Sequence, residues 1–358
     1  MFWPVSFVVV ALSFTCAFGV QPDDSAPPEP GSEGFDWMQH VNGEWLKGEL
    51  KDVQDEDFEF ESDEFDTHKL DINDIYRFVS NGEMRVGFYD GTEVVGRVRI
   101  EGDKVHVVTS EGIETYEKSN VRSIVTGRSI GGAYWSGKLS FGTEFLRGNV
   151  DQTDVSTYIR IGRRTVTTRA VLEFTGAFSE VNGETTEDNQ RFLGRYDIYK
   201  DARVFFRVPE LEVYRDQFQN IEIRVTPTVS AGYTLIDRGD LEGHATIGSG
   251  LRYTQFRDVQ PGEESDDTQY VFIYGTDVEW EATPRIDVGA SFSLTMPVPE
   301  ADDYTFRTVA YTEIDLWKDF DLDVRFTWDR VNSPAANADG STPEEDEYRL
   351  YVGIGYEF

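Results

Sequence analysis

The chain has 358 residues, 67 of them Asp or Glu and 33 Lys or Arg, for a formal net charge of −34. That balance excludes nucleic acid as a partner, because no basic patch could offset the field. Hydrophobic residues make up 39% and mean hydropathy is −0.45, which excludes a bundle of membrane-crossing helices but not a transmembrane barrel, whose half-apolar strands average away.

The apolar run "VSFVVVALSFTCAFG" at 5–19 has the length of a secretory h-region, with Ala17 and Gly19 as small residues before a cleavage point. Residues 1–20 are therefore expected to be a signal peptide, although no Lys or Arg precedes Lys47 to supply the usual basic start. Cys16 is the only cysteine, so the folded protein is expected to have neither disulfides nor thiolate metal sites. Phe14 and Thr15 replace the small residues that lipid attachment at Cys16 would need. Residues 21–36 open with "QPDDSAPPEPGSEG", a polar linker with too little apolar area to fold.

Residues 37–127 predict a compact β-module that repeats itself once. "GEWLKGEL" at 43–50 matches "GTEVVGRV" at 91–98, and "DFEFES" at 57–62 matches "KVHVVT" at 104–109. "INDIYRFVS" at 72–80 likewise matches "KSNVRSIVT" at 118–126. Two copies of several short strands each are expected, similar to small SH3- or Sm-like barrels. The G-x-x-x-x-G pairs lack the Lys-Ser/Thr of a phosphate loop and read as turn chemistry.

From 131 to 358 the texture changes to about twelve long alternating strands. "FDLDVRFTW" places Phe320, Leu322, Val324, Phe326 and Trp328 on one face and Asp321, Asp323, Arg325 and Thr327 on the other. Short turns are expected at 162–165, 200–202, 236–240, 282–285 and 318–320. Longer polar loops are expected at 180–189, 257–267 and 331–347. Short turns on one rim and long loops on the other describe an outer-membrane barrel with both termini at the short-turn rim.

A soluble β-sandwich would also alternate. Against it stand strand length, which suits a tilted bilayer span, and aromatic residues at strand ends: Tyr134, Trp135, Trp280, Trp328, Tyr356 and Phe358. The polar phase also carries opposite charges: Arg169 and Glu173, Arg195 and Asp197, Glu222 and Arg224, Asp323 and Arg325; Asp277 and Glu279 share that phase as further lumen charges. A narrow lumen would pair them. The expected fold is therefore all-β: an antiparallel outer-membrane β-barrel of about 12 strands behind a two-repeat periplasmic module.

The last strand, "EYRLYVGIGYEF", ends on Phe358 with Leu350, Val352, Ile354 and Tyr356 at alternate positions. That ending looks like the C-terminal signal through which the barrel-assembly machinery receives such chains, with Tyr356 and Phe358 as its key residues. With the barrel opening "YWSGKLSFGTEFLRGNVDQTDVS", the arrangement resembles the YdiY-like family of salt-induced outer-membrane proteins. The resemblance covers 131–358 loosely and implies an even-stranded barrel behind a small β-module. It brings no biochemical activity and no functional residues.

Nothing in the sequence assembles a catalytic site. His40, His68, His106 and His244 are scattered. His244, the only barrel histidine, falls in the polar phase with Glu242 and Thr246, whereas a barrel-wall lipase needs its histidine facing lipid beside a serine. The acidic run at 52–66 lacks the sharp turn that converges calcium ligands and reads as a solvated face. No enzyme activity, cofactor or metal is expected. The expected function is a passive envelope role, a narrow cation-preferring pore or wall protein, in contact with outer-membrane lipid. The alternative is an anchored docking protein whose module binds peptidoglycan.

Overall fold

The computed structural model describes residues 34–54, 57–62, 67–126, 134–146, 152–165, 167–200, 203–238, 240–283, 285–299, 301–317 and 319–357. The expected signal peptide, the linker up to residue 33, and Phe358 lie outside them.

The N-terminal nine strands form one sheet: β1 (Asp36–His40), β2 (Trp45–Gln54), β3 (Asp57–Ser62), β4 (Thr67–Asp71), β5 (Ile75–Phe88), β6 (Glu93–Glu101), β7 (Lys104–Val108), β8 (Ile113–Glu117) and β9 (Val121–Thr126). Short 3₁₀ turns at Ile72–Asp74 and Lys118–Asn120 precede β5 and β9. Each element from β2 to β5 thus recurs 46 to 48 residues later as β6 to β9. The long β5 serves both copies. Its first half pairs with β1, and its second half, Met84–Phe88, pairs with β9.

The copies also exchange pairings. Asp52–Gln54 of the first copy's β2 pair with Ser123–Val125 of β9, while Arg99–Glu101 of β6 pair with Arg77–Val79 of β5. Met38, Leu50, Phe58, Phe60, Phe78, Ile100, Val107 and Ile124 fill one shared core. Phe58 meets Phe78 edge-on at 5.5 Å, an arrangement that suits the ring quadrupoles. In the acidic run, therefore, alternation points Phe58 and Phe60 inward while Glu61 stays at the surface beside Lys51.

Only half of each G-x-x-x-x-G pair is turn chemistry. Gly43 and Gly91 have φ of 94° and 86°, which side-chained residues avoid. Gly48 and Gly96 do different work: a Cβ there would collide with the carbonyl of Glu61 or Val108 on the next strand.

Twelve antiparallel strands then close a barrel: β10 (Tyr134–Leu146), β11 (Gln152–Arg164), β12 (Thr168–Val181), β13 (Glu184–Tyr199), β14 (Val204–Asp216), β15 (Ile221–Arg238), β16 (Leu241–Phe256), β17 (Asp266–Thr283), β18 (Ile286–Val298), β19 (Thr305–Trp317), β20 (Phe320–Val331) and β21 (Asp346–Glu357). Closure comes from β10 against β21, with Lys138 opposite Glu357 and Phe141 opposite Ile354. The first and last strands of the barrel are thereby joined. The short turns fall close to the expected positions, and β16–β17 and β20–β21 carry long connections as expected.

The expected loop at 180–189 is not a loop. β12 and β13 pair through Val181 and Glu184, and Asn182 and Gly183 turn with φ of 53° and 84°. Two consecutive positive φ values are what a tight I′ hairpin requires, and Asn-Gly is its favoured pair.

At the short-turn rim, Arg122 of β9 lies with its guanidinium carbon 3.9 Å from the ring centre of Tyr199 at the end of β13.

Candidate functional site

The barrel's two faces are inverted relative to a water-soluble core. Outside, Leu139, Phe141, Leu172, Ile247, Phe272, Leu350, Val352 and Ile354 are exposed. Inside, Lys138, Asp197, Arg207, His244, Arg252, Asp321 and Asp323 are buried. Alternation along each strand produces this division automatically. What distinguishes it is the amount of charge in the interior, where Lys138, Asp197, Arg207, Arg252, Asp321 and Asp323 lie among a few apolar side chains such as Val171 and Phe205.

Unpaired buried charges are costly, and most of these are paired. Near the short-turn rim, Lys138 Nζ lies 2.8 Å from carboxylate oxygens of Glu313, Asp321 and Asp323, and 3.2 Å from Glu357. Arg207 holds Asp197 through Nε at 2.7 Å and Nη2 at 3.1 Å. Such a two-pronged contact fixes geometry as well as charge. Arg169 reaches the same carboxylate at 3.2 Å. His244 Nε2 is 2.8 Å from Glu242, and the ring stands edge-on to Phe205.

Midway, Arg195 bonds Glu173 at 2.8 Å, and Arg160 lies 3.7 Å from Glu173 and 4.0 Å from Glu279. Arg160 is on β11 and Glu279 on β17, half the barrel apart, so this contact crosses the lumen. Tyr311 donates its hydroxyl to Glu279 at 3.0 Å. Around this layer a cavity of about 250 Å³ remains.

Toward the long-loop rim, Asp329 sits among three arginines: Arg307 at 2.6 Å, Arg349 at 2.9 Å and Arg191 at 3.5 Å. Arg191 also pairs with Glu212, and Arg349 reaches Glu187 at 2.7 Å. A second space of about 50 Å³ adjoins this layer.

Above it the β20–β21 connection runs across the mouth. Asn220, between β14 and β15, donates from Nδ2 to the Ala336 carbonyl at 3.0 Å, and the neighbouring Gln219 donates to the Glu344 carbonyl at 3.0 Å. Those hairpins sit on opposite sides of the barrel.

Among the expected lumen charges, Arg169, Glu173, Arg195, Asp197, Arg224, Asp277, Glu279, Asp323 and Arg325 share the inward phase, but their partners differ from the sequence pairing. Arg169 meets Asp197 directly opposite on the next strand, and Arg195, opposite Val171, reaches diagonally to Glu173. Asp323 pairs with Lys138, whereas Arg325 reaches Glu313 at 3.7 Å and covers the ring of Tyr158.

Glu222 does not join them. The register slips between Ile221 and Ile223 of β15, which breaks the alternation, so Ile221 is buried and Glu222 is exposed instead of facing Arg224. Lys138, Arg191, Arg207, Arg307, Asp329 and Arg349 are central yet were not singled out from sequence. Apart from Glu210 beside Arg207 and Glu347 beside Arg349, their partners lie on other strands, up to 219 residues away, and strand pairing and barrel closure bring them together. Among the described residues, no three His, Cys, Asp or Glu side chains gather as metal ligands.

Residues 139–358 match the family described as "Protein of unknown function, DUF481". No curated protein matches the sequence. Among solved structures, the barrel is similar to a NanC porin, at 11% identity and TM-score 0.37 over 62% of this chain and 98% of that one. It is also similar to a KdgM porin, at 9% and 0.32 over 63% and 99%. The β domain of the Bordetella autotransporter Brka is similar at 10% and 0.30 over 63% and 98%. Such scores carry no functional argument.

Proposed function

The chain belongs to the DUF481 family, and from the barrel that this match covers we propose an outer-membrane protein with a passive, pore-like envelope role. The observation that carries the proposal is the inversion of its faces. Exposed Leu, Ile, Val and Phe side chains all around a barrel would drive aggregation in water, whereas hydrocarbon accommodates them at no cost. A closed barrel leaves no backbone group unpaired in lipid.

The strands, of 12 to 18 residues, are long enough for a tilted crossing. Trp135, Trp280, Trp317, Phe320 and Tyr356 are exposed near the short-turn rim, where an interfacial aromatic girdle would sit. The module would then face the periplasm, consistent with the resemblance to YdiY-like salt-induced proteins.

The passage is narrow, because Arg160 and Glu279 meet across it and a loop spans its outer mouth. Exposed Glu263, Glu264, Asp266 and Asp267 at that mouth favour cations. Arg330 offsets part of the acidic rim by pairing with Glu345 and Asp346, so the preference is modest. Planar-bilayer recording of the heat-modifiable, folded protein tests the reading. We expect small conductance with a cation preference that fades as salt screens the rim. Anion preference would overturn the rim effect, and a silent folded barrel would favour the anchored docking role.

A further inference from the structure

Most lumen arginines answer a carboxylate, but two do not. Arg224 of β15 gives Nε to the Thr254 hydroxyl at 3.1 Å. Its neighbour on β16, Arg252, gives Nε and Nη2 to the Gln269 side-chain oxygen at 3.2 and 2.5 Å, and Nη2 also to the Asp303 carbonyl at 3.3 Å. Arg252 is 6% exposed, and its Nη1 is buried with no hydrogen-bond partner. Among the described residues, no carboxylate stands within ion-pair distance of either guanidinium.

Both side chains line the space of about 50 Å³ beneath the outer loops, against the roughly 10–15 Å³ that one water requires. Five arginines line it, Arg191, Arg224, Arg252, Arg307 and Arg330, against three acids, Glu212, Asp329 and Glu347. Arg191, Arg307 and Arg330 are answered by Glu212, Asp329, Glu345 and Asp346, which leaves Arg224 and Arg252 as the uncompensated pair. Thr226, Ser293, Thr295 and Thr305 add hydroxyls to the same wall.

We propose that this chamber binds one oxyanion, the phosphate or carboxylate group of a small solute, between Arg224 and Arg252. Two neighbouring guanidiniums without a counter-charge are costly in a confined space. A planar fork with a free N–H is well shaped for an oxyanion, and the hydroxyls would hold the polar body of the solute. The inference rests on the lumen being open to solute from the mouth. It concerns equilibrium binding, which needs no conduction.

The test uses the full chain in detergent, titrated calorimetrically with inorganic phosphate and separately with acetate at constant ionic strength. Saturable one-to-one binding of either is expected, and the tighter of the two identifies the solute class. Arg252→Gln and Arg224→Gln should each weaken binding about ten- to hundredfold, the range of a charge-assisted hydrogen bond.

In chloride buffer free of phosphate and carboxylate, Arg252→Gln should unfold at the wild-type temperature or higher, since it removes an uncompensated charge, and should lose the rise that phosphate gives the wild type. If the variants fail to fold, wild-type protein still decides, through saturation by phosphate and none by equal chloride. Absence of saturable binding, or binding unchanged in both variants, overturns the site. A barrel that binds phosphate but is silent in bilayers overturns only the pore; one that conducts and ignores phosphate overturns only the site.

Discussion

The N-terminal module and the barrel use the same alternation of side chains and bury opposite phases of it. In the module, Phe58, Phe60 and Phe78 face inward and Glu61 faces out. In the barrel, Asp197, Arg207 and Asp323 face inward while Phe272 and Leu350 face out. A period of two therefore specifies a strand with two different faces and does not say which face meets which medium. Strand length, the pairing of the polar phase and closure settle that.

The largest effect should come from emptying the module's core. Phe58→Ala is expected to cost about 3–5 kcal/mol. Limited proteolysis should then cut residues 34–126 readily while the barrel keeps its heat-modifiable gel shift. Simultaneous loss of both would mean that the two regions fold as one.

Next comes the outer face. Phe326→Arg should cost about 2–4 kcal/mol if it lies near the bilayer midplane. The same kind of change at Val95, exposed on the module, should stay within about 0.5 kcal/mol. Equal tolerance of both in refolding titrations would end the contrast between the two surfaces.

A third experiment concerns pH and is read in the module. Burial, with Glu59 adding to it, pushes the Asp52 carboxyl up from 3.8 to about 8. The folded form keeps that proton to higher pH than the unfolded chain does, so stability is full below about pH 4 and declines as pH rises toward 8. Asp36 shifts in the same direction, also through burial. Asp52→Asn should flatten the profile and exceed wild-type stability at pH 8, as followed by proteolysis from pH 5 to 8. A level wild-type profile would count against it.

The smallest effect on stability should come from Arg160→Gln, which loses an arm that crosses the lumen without touching the outer wall. Single-channel conductance should rise while the gel shift is kept. An unchanged conductance would place the constriction elsewhere, at the loop tied to Asn220.

Much of this architecture was legible in the residues. The repeat offset, the even strand number and the inward phase all follow from local patterns, since a strand's neighbours two positions away share its face. The Asn182-Gly183 hairpin was also readable, but the polar residues around it looked like a loop. They are strand residues whose side chains reach the mouth. Partners were another matter. Arg349 and Glu187 meet across 162 residues, and Arg191 meets Asp329 across 138. No spacing rule reaches that far. Glu222 was lost to a one-residue slip, which leaves no trace in composition.

The exchange of strands inside the module has a consequence for its inheritance as a unit. Because β9 completes the first copy and the front of β5 completes the second, neither half retains a full set of hydrogen-bonded neighbours if the other is deleted. A third copy inserted between them would separate strands that now pair. Duplication has therefore produced a closed pair and not an extendable array: the number of repeats is fixed at two by which strand completes which, whatever ligand the surface meets.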